Sequence, residues 1–215
     1  MLCDSYIAIK NAMNFSLPSL IRCTACLRTT LLGLAACGGI VLHAQDTNAA
    51  TAATSAPAGS LVSNGDFSLA TQDPTWPDSW GKAAGITWEA EGGKHFLRLT
   101  AQAPDKLLMA YREINIPAGV KNITISIRYR TSGIATGAQN WMDARAIFHF
   151  LDADRKPVKP DPKLLDFSKN AADWTVTSEQ SAIPDGATKL VLMPSLFKVA
   201  AGTLDLAEIT VTPTP

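Results

Sequence analysis

"NITISIRY", Asn122 to Tyr129, decides the fold. Ile123, Ile125, Ile127 and Tyr129 recur at every second position, with Thr124, Ser126 and Arg128 between them. Successive side chains of a β-strand point to opposite faces, so this spacing puts the four apolar groups on one face and the polar ones on the other. On a helix the same positions would scatter around the axis and share no face. The segment therefore reads as a strand with one side against a core.

The pattern repeats on both sides of this segment. "GITWEAE" (85–91), "HFLRLTA" (95–101) and "KLLMAYREINI" (106–116) precede it, and a short strand at "SLVSNGDF" (60–67) opens the set. "DARAIFHFLDA" (143–153), "DWTVTSEQSAI" (173–183), "TKLVLMPSLF" (188–197) and "GTLDLAEITVT" (202–212) follow it. Gly-Gly, Pro-Ala-Gly, Thr-Ser-Gly and Pro-Asp-Gly punctuate the series, as turns require. No segment keeps a helical period long enough to compete. The expectation is an all-β fold, a two-sheet antiparallel β-sandwich of the jelly-roll type with about nine strands.

The folded domain is expected over 61–212, without internal repeats. Residues 45–60, Ala-, Thr- and Ser-rich, hold no large apolar side chain before the domain and read as a flexible linker. Residues 1–44 have the parts of a signal peptide: Arg22 and Arg28, then an apolar run from Thr29 to Leu42, then Ala44. The upstream stretch is long for such a leader, which makes Met13 an alternative start. The run is too short for a comfortable membrane span. Cleavage after Ala44 would leave Gln45 first. "LAAC", Leu34 to Cys37, resembles a bacterial lipobox, so lipid anchoring through Cys37 is the alternative. Either route predicts a secreted or periplasmic domain.

All four cysteines, Cys3, Cys23, Cys26 and Cys37, fall in the leader. The Cys23–Cys26 pair lacks a second ligand pair that would make it a zinc site. The remainder has no thiol for a disulfide or a nucleophile. The leader carries Lys10, Arg22 and Arg28 against Asp4, so the rest holds 16 basic and 18 acidic residues, a net charge of −2. It contains no basic run, which argues against a nucleic-acid partner.

"QNWMDARAIFHF", Gln139 to Phe150, carries two rows. Met142, Ala144, Ala146, Phe148 and Phe150 need a core. Trp141, Asp143, Arg145 and His149, with Ile147 among them, would line the opposite face. An aromatic ring, a carboxylate, a guanidinium and an imidazole in one outward row form a candidate recognition surface.

Three segments carry a resemblance. "LVSNGDFS" (61–68) followed by "WPDSW" (76–80), then "IPDGATKLVL" (183–192), then "GTLDLAEITV" (202–211) are similar, in order, to segments of jelly-roll carbohydrate-binding modules. The group is that of families four, nine, sixteen and twenty-two, with a galactose-binding-domain-like β-sandwich. The resemblance implies a secreted, non-catalytic domain that binds a poly- or oligosaccharide through an aromatic and polar face of one sheet. A separate glycan-degrading enzyme would be a further partner. It implies stacking of Trp141 on a sugar ring, and hydrogen bonds from Asp143 and Arg145 to hydroxyls, with His149 further along the row. Trp76, between Pro74 and Pro77, becomes an edge-site candidate, while Trp80 matches a packing tryptophan. Trp88 and Trp174 read as core or inter-sheet packing, and Tyr111 and Arg128 as possible extensions of the groove. Many relatives hold a structural calcium where this chain has Ser68 and Ala207. No cofactor is therefore expected, and Asp66, Asp205 and Glu208 are the remaining candidates for a metal.

Two other readings stand beside this one. A polar outer face also suits a protein-binding or envelope-structural β-sandwich. A jelly-roll polysaccharide lyase would use His149, Arg145 and either Tyr111 or Tyr129. A retaining glycosidase needs two carboxylates about 5–5.5 Å apart. Glu89 and Glu91 have suitable spacing but run into a Gly-Gly turn, and Asp152 and Asp154 read as the tip of a hairpin.

Overall fold

The structure, a computed structural model, describes residues 59–215. The leader, its cysteines and the linker to Ala58 lie outside the described residues. The strands are β1 (Ile86–Glu91), β2 (Lys94–Thr100), β3 (Leu107–Met109), β4 (Arg112–Asn115), β5 (Asn122–Ala135), β6 (Ala144–Leu151), β7 (Pro157–Val158), β8 (Leu165–Asp166), β9 (Thr175–Ala182), β10 (Lys189–Phe197) and β11 (Ala201–Thr214). They form two sheets. One has five strands in the order β1-β2-β11-β5-β9. The other has β10 and β6 at its centre, β3 and β4 sharing one edge, and β7 and β8 sharing the other. All pairings are antiparallel, so the expected all-β sandwich is the fold.

The alternating rows meet between the sheets. Ile123, Ile125, Ile127 and Tyr129 of β5 are buried against Ala144, Ala146, Phe148 and Phe150 of β6 and Leu190 and Leu192 of β10 in one hydrophobic core. β11 adds Leu204, Leu206, Ile209 and Val211, a β-bulge between Leu206 and Glu208 keeping both halves of the strand facing inward. The two indoles of "WPDSW" close one end of this core. Trp80 packs on Phe67 with ring centroids 4.9 Å apart, and its indole N–H donates to the Asn64 carbonyl at 2.9 Å.

Three features depart from the expected strand pattern. Residues 60–67 are turns and bends rather than a strand, because Asn64 and Phe67 hold φ of 52° and 58°. The Asn64 side chain fixes this shape: its amide donates to the carbonyls of Leu69 and Asp78, and its oxygen accepts from the Leu69 N–H. Gly65 follows because an added Cβ would collide with the carbonyl oxygen of Ile209. The strand expected over 106–116 is broken into β3 and β4. Ala110 N–H donates to Pro194 O, but Pro194 has no N–H to return the bond. Finally, β7 and β8 are two-residue strands formed by a Pro-rich segment without alternation.

Candidate functional site

The outer face of the six-stranded sheet can be laid out from its registers. Counting across β8 or β7, β6, β10 and then β3 or β4, Asp166, Arg145, Ser195 and Met109 make one rank. Leu164, Ile147, Met193 and Tyr111 fall in the next, continuing the registers one residue before β8 and one before β4. Lys159, His149, Val191 and Glu113 make the third. Ranks on one face are about 7 Å apart along the strands, and neighbours within a rank about 5 Å apart. An apolar rank therefore crosses the sheet between two polar ones. Its floor is well packed: Val191, Met193 and Leu151 are buried, with Met109, Tyr111 and Ile147 partly buried around them.

Trp141 stands at one end of this face, in the turn before β6, and is 48% exposed. The turn is tied at four points. Gly137 N–H donates to Met142 O at 2.8 Å, and Met142 N–H to Gln139 O at 2.9 Å. Phe197 N–H donates to Asp143 O at 2.8 Å. Arg145 closes the set: Nε donates to Asp143 Oδ1 and Nη2 to the Trp141 carbonyl, each at 2.5 Å. The indole leans on Phe197, ring centroids 5.9 Å apart, and Leu107 lies opposite Phe197 in the β10–β3 register. Gly137 allows the tight turn, since a Cβ there would collide with Lys198 O. The result is an indole held in place with much of its surface open.

The charged end of the face is as ordered. His149 Nδ1 lies 2.7 Å from Asp161 Oδ2, and Lys159 also bonds that oxygen. Asp161 Oδ1 accepts from Phe150 N–H at 3.2 Å. Burial pushes the Asp161 carboxyl up, but the bonds from His149, Lys159 and Phe150 outweigh it and hold it below the ordinary carboxylate value. Glu113 accepts from Lys189 Nζ at 3.0 Å, pairs with Arg155 at 2.7 Å and receives the Tyr111 hydroxyl at 3.4 Å. Asp166 behaves like Asp161: burial raises it, while side-chain and backbone bonds from Ser168 and the charge of Arg145 lower it further.

The structure thus gathers Trp141, Arg145 and His149 on one face, and it gives Asp143 a different place. Asp143 is buried beneath the Arg145 guanidinium and does not line the surface, because the turn at Trp141 folds over it. Trp76 is also buried rather than exposed at an edge. Its indole N–H donates to Trp80 O at 2.7 Å, which satisfies the ring's one polar group inside the fold. Trp88 behaves as expected, partly buried against the core and donating to Phe67 O. Trp174 does not. It lies just before β9 on the outer face of the five-stranded sheet, edge-on to Phe96, with the Arg130 and Arg128 guanidinia over its ring. Arg128 therefore belongs to the other sheet and cannot extend the Trp141 face, whereas Tyr111 does. Tyr129 points into the core against Phe167, and burial raises its hydroxyl above the ordinary tyrosine value.

The metal candidates are dispersed. Asp205 is engaged by Arg98 at 2.7 and 2.8 Å and by Arg130 at 2.7 Å. Asp66 accepts from the N–H and hydroxyl of Ser68 in the following turn. Glu208 stands opposite Arg128 in the β11–β5 register. Among the described residues no three His, Cys, Asp or Glu side chains are grouped to hold a metal ion.

Sequence reading missed Asp161, Asp166, Leu164 and Glu113. The first three lie in "DPKLLDF" (161–167), where Pro162, with Pro157 and Pro160 just before it, conceals any strand signal. The row Val191, Met193, Ser195 was available by continuing the alternation of β10 past Pro194.

No family model matches the chain, and no curated protein does. Among solved structures, the active domain of tailspike protein 4 from bacteriophage CBA120 aligns with a TM-score of 0.57 at 11% identity, over 72% of this chain and 21% of that one. This chain thus spans about a fifth of that protein, and the likeness is one of fold. A family 16 carbohydrate-binding module aligns at 0.49 and 15% identity, over 71% of this chain and 99% of the module. The family 22 xylan-binding domain of Paenibacillus barcinonensis Xyn10C aligns at 0.41 and 17%, over 74% and 97%. Carbohydrate-binding modules of the group suggested by the sequence motifs are thus among the β-sandwich domains that this chain resembles. Among the described residues no helix is long and apolar enough to cross a membrane.

Proposed function

We propose that this domain is a non-catalytic glycan-binding module whose contact surface is the outer face of the six-stranded sheet. The observation that carries the reading is Trp141, an indole half open to solvent that leans on Phe197 from a backbone tied by Arg145. An aromatic face held in advance accepts the C–H face of a sugar without a further ordering cost. The apolar rank of Leu164, Ile147, Met193 and Tyr111 supplies a floor for ring faces, and the two polar ranks supply partners for hydroxyls. A poly- or oligosaccharide lying across the strands would meet all three.

A catalytic role is disfavoured by the partners of the candidate groups. Arg145, His149 and Tyr111 each engage a different carboxylate, Asp143, Asp161 and Glu113, and Tyr129 is on the far side of the core. A protein partner is the second reading, favoured by the exposure of Leu164, in the apolar rank, and of Leu107, beside Phe197 at the Trp141 end of the face. A glycan array of the purified protein, followed by titration of the best ligand, separates them. Retained glycan binding that weakens in Trp141→Ala supports the proposal; no binding to any glycan overturns it. The reading includes export, with the mature chain starting at Gln45 or at lipidated Cys37. Recovery of exported protein with Met1 or Met13 intact would refute that part.

A further inference from the structure

The four sheet edges are not protected alike. The six-stranded sheet has edges broken into strands of two to four residues, β7 and β8 on one side and β3 and β4 on the other. β1 is six residues long and bears Glu89 and Glu91. Short or charged edges of this kind block pairing with another chain. β9 is different. It runs eight residues, "TVTSEQSA", paired with β5 from Asn122↔Ala182 to Tyr129↔Thr175 without a bulge. It holds no Pro, Lys or Arg, one charged side chain, Glu179, and Val176 at 60% exposure.

The hydrogen-bond phase of the free edge follows from one bond. Ile183 N–H donates to Lys121 O at 2.8 Å, so in this register the odd residues of β9 bond to β5. Val176, Ser178, Gln180 and Ala182 direct their N–H and C=O groups outward. We propose that this edge pairs with β9 of a second copy, antiparallel about a two-fold axis at Ser178. Directly opposed residues must share a sheet face, which restricts the axis to a residue of the strand. An axis at Glu179 would set two carboxylates directly against each other. An axis at Ser178 opposes Ser178 to itself, Thr177 to Glu179, Val176 to Gln180 and Thr175 to Ser181, and uses seven of the eight residues. In this register the two Glu179 side chains are diagonal neighbours, the one like-charge contact in the pairing.

The symmetry has a consequence for binding. A two-fold axis normal to the sheet leaves its faces unexchanged, so the two five-stranded sheets join with both six-stranded sheets on the same side. Both Trp141 faces then point the same way, and a polymeric ligand could engage two at once. This consequence rests on the glycan reading; the dimer itself does not.

Strand pairing alone buries less than the roughly 1,200 Å² of a standard interface, so the dimer is weak and concentration-dependent. Sedimentation of the full chain without glycan, from low micromolar to near-millimolar concentration, is expected to show reversible dimerisation. Ser178→Pro removes an outward N–H and the hydroxyl bond to Ser126 while sparing the backbone bonds to β5, and should weaken the dimer at least about tenfold. Val176→Lys should do the same by adding an edge charge, and Glu179→Gln should tighten it. The pairing puts the two Ser178 Cα atoms about 5.5 Å apart, within the about 4.4–6.8 Å of a disulfide. With Cys3, Cys23, Cys26 and Cys37 changed to Ser, Ser178→Cys should therefore oxidise to a linked dimer. Ser181→Cys should not, since its two copies would lie about 20 Å apart. A chain monomeric throughout the range overturns the proposal. So does a dimer unaffected by both Ser178→Pro and Val176→Lys, or one that links through residue 181 as readily as through 178.

Discussion

Trp141 and Phe148 come from one short stretch and have opposite surroundings, so their truncations should fail in different ways. Phe148 is buried between the sheets, and Phe148→Ala leaves a cavity that should cost about 3–5 kcal/mol of stability, read from denaturant midpoints. Trp141→Ala removes a half-exposed ring resting on Phe197 and should leave the melting temperature nearly unchanged. Its effect belongs to binding: a loss of about 1–3 kcal/mol, roughly ten- to a hundredfold in affinity, by titration with the best array ligand. Arg145→Met tests the tether. It leaves Asp143 buried without its guanidinium and frees the Trp141 carbonyl. Both stability and affinity should fall, which separates a positioning role from direct contact alone.

Two devices hold strands together from outside the core. Asp205 on β11 takes a guanidinium from β2 and another from β5, joining three strands of one sheet. Removing one partner of a fully buried pair costs about 3–5 kcal/mol, and the solvent contact kept by Arg98 reduces that. Asp205→Ala should therefore cost roughly 2 kcal/mol, or about 4–8 °C in melting temperature for a domain of this size. The segment between β7 and β8 is held at Asp161, whose carboxyl is depressed in the folded state. A depressed carboxyl contributes stability that is complete above the unfolded value near 3.9 and is lost as pH falls through the folded value. Denaturant midpoints should drop as pH is lowered through and below that range. Asp161→Asn should flatten the drop, leaving the share that Asp166 contributes with the same sign.

For the domain as a whole, metal is not expected to set stability. Asp205 is already neutralised by two guanidinia, while Asp66 serves a local turn. A chelator should move the melting temperature by less than about 5 °C, whereas a calcium ion bound a hundredfold above its dissociation constant would add about 2.7 kcal/mol. A larger shift would mean that a cation is held by a set of oxygens not grouped in this structure. The domain's binding strength should depend on assembly more than on metal, since one face offers a single exposed indole and a paired β9 would present two.

The strand pattern and the core row were legible because alternation is a local property. A β-strand with one buried face must repeat apolar side chains at period two, and β5, β6 and β11 do so whatever lies opposite them. The hairpin tip at Asp152, where Lys156 N–H bonds the carboxylate, and the packing of Trp80 were also written in short sequence. Alternation says which residues share a face, but not which strand lies beside them. Only the registers set Leu164 and Tyr111 in the rank of Ile147 and sent Arg128 and Trp174 to the other sheet. Nor could periodicity tell that Trp76 is inside and Asp143 is covered, since both depend on turns folding over them. The sequence by itself determined a two-sheet sandwich and the residues that fill it, because burial acts on each strand separately. The tertiary structure alone decided which outward side chains meet, because that depends on pairings between segments far apart in the chain.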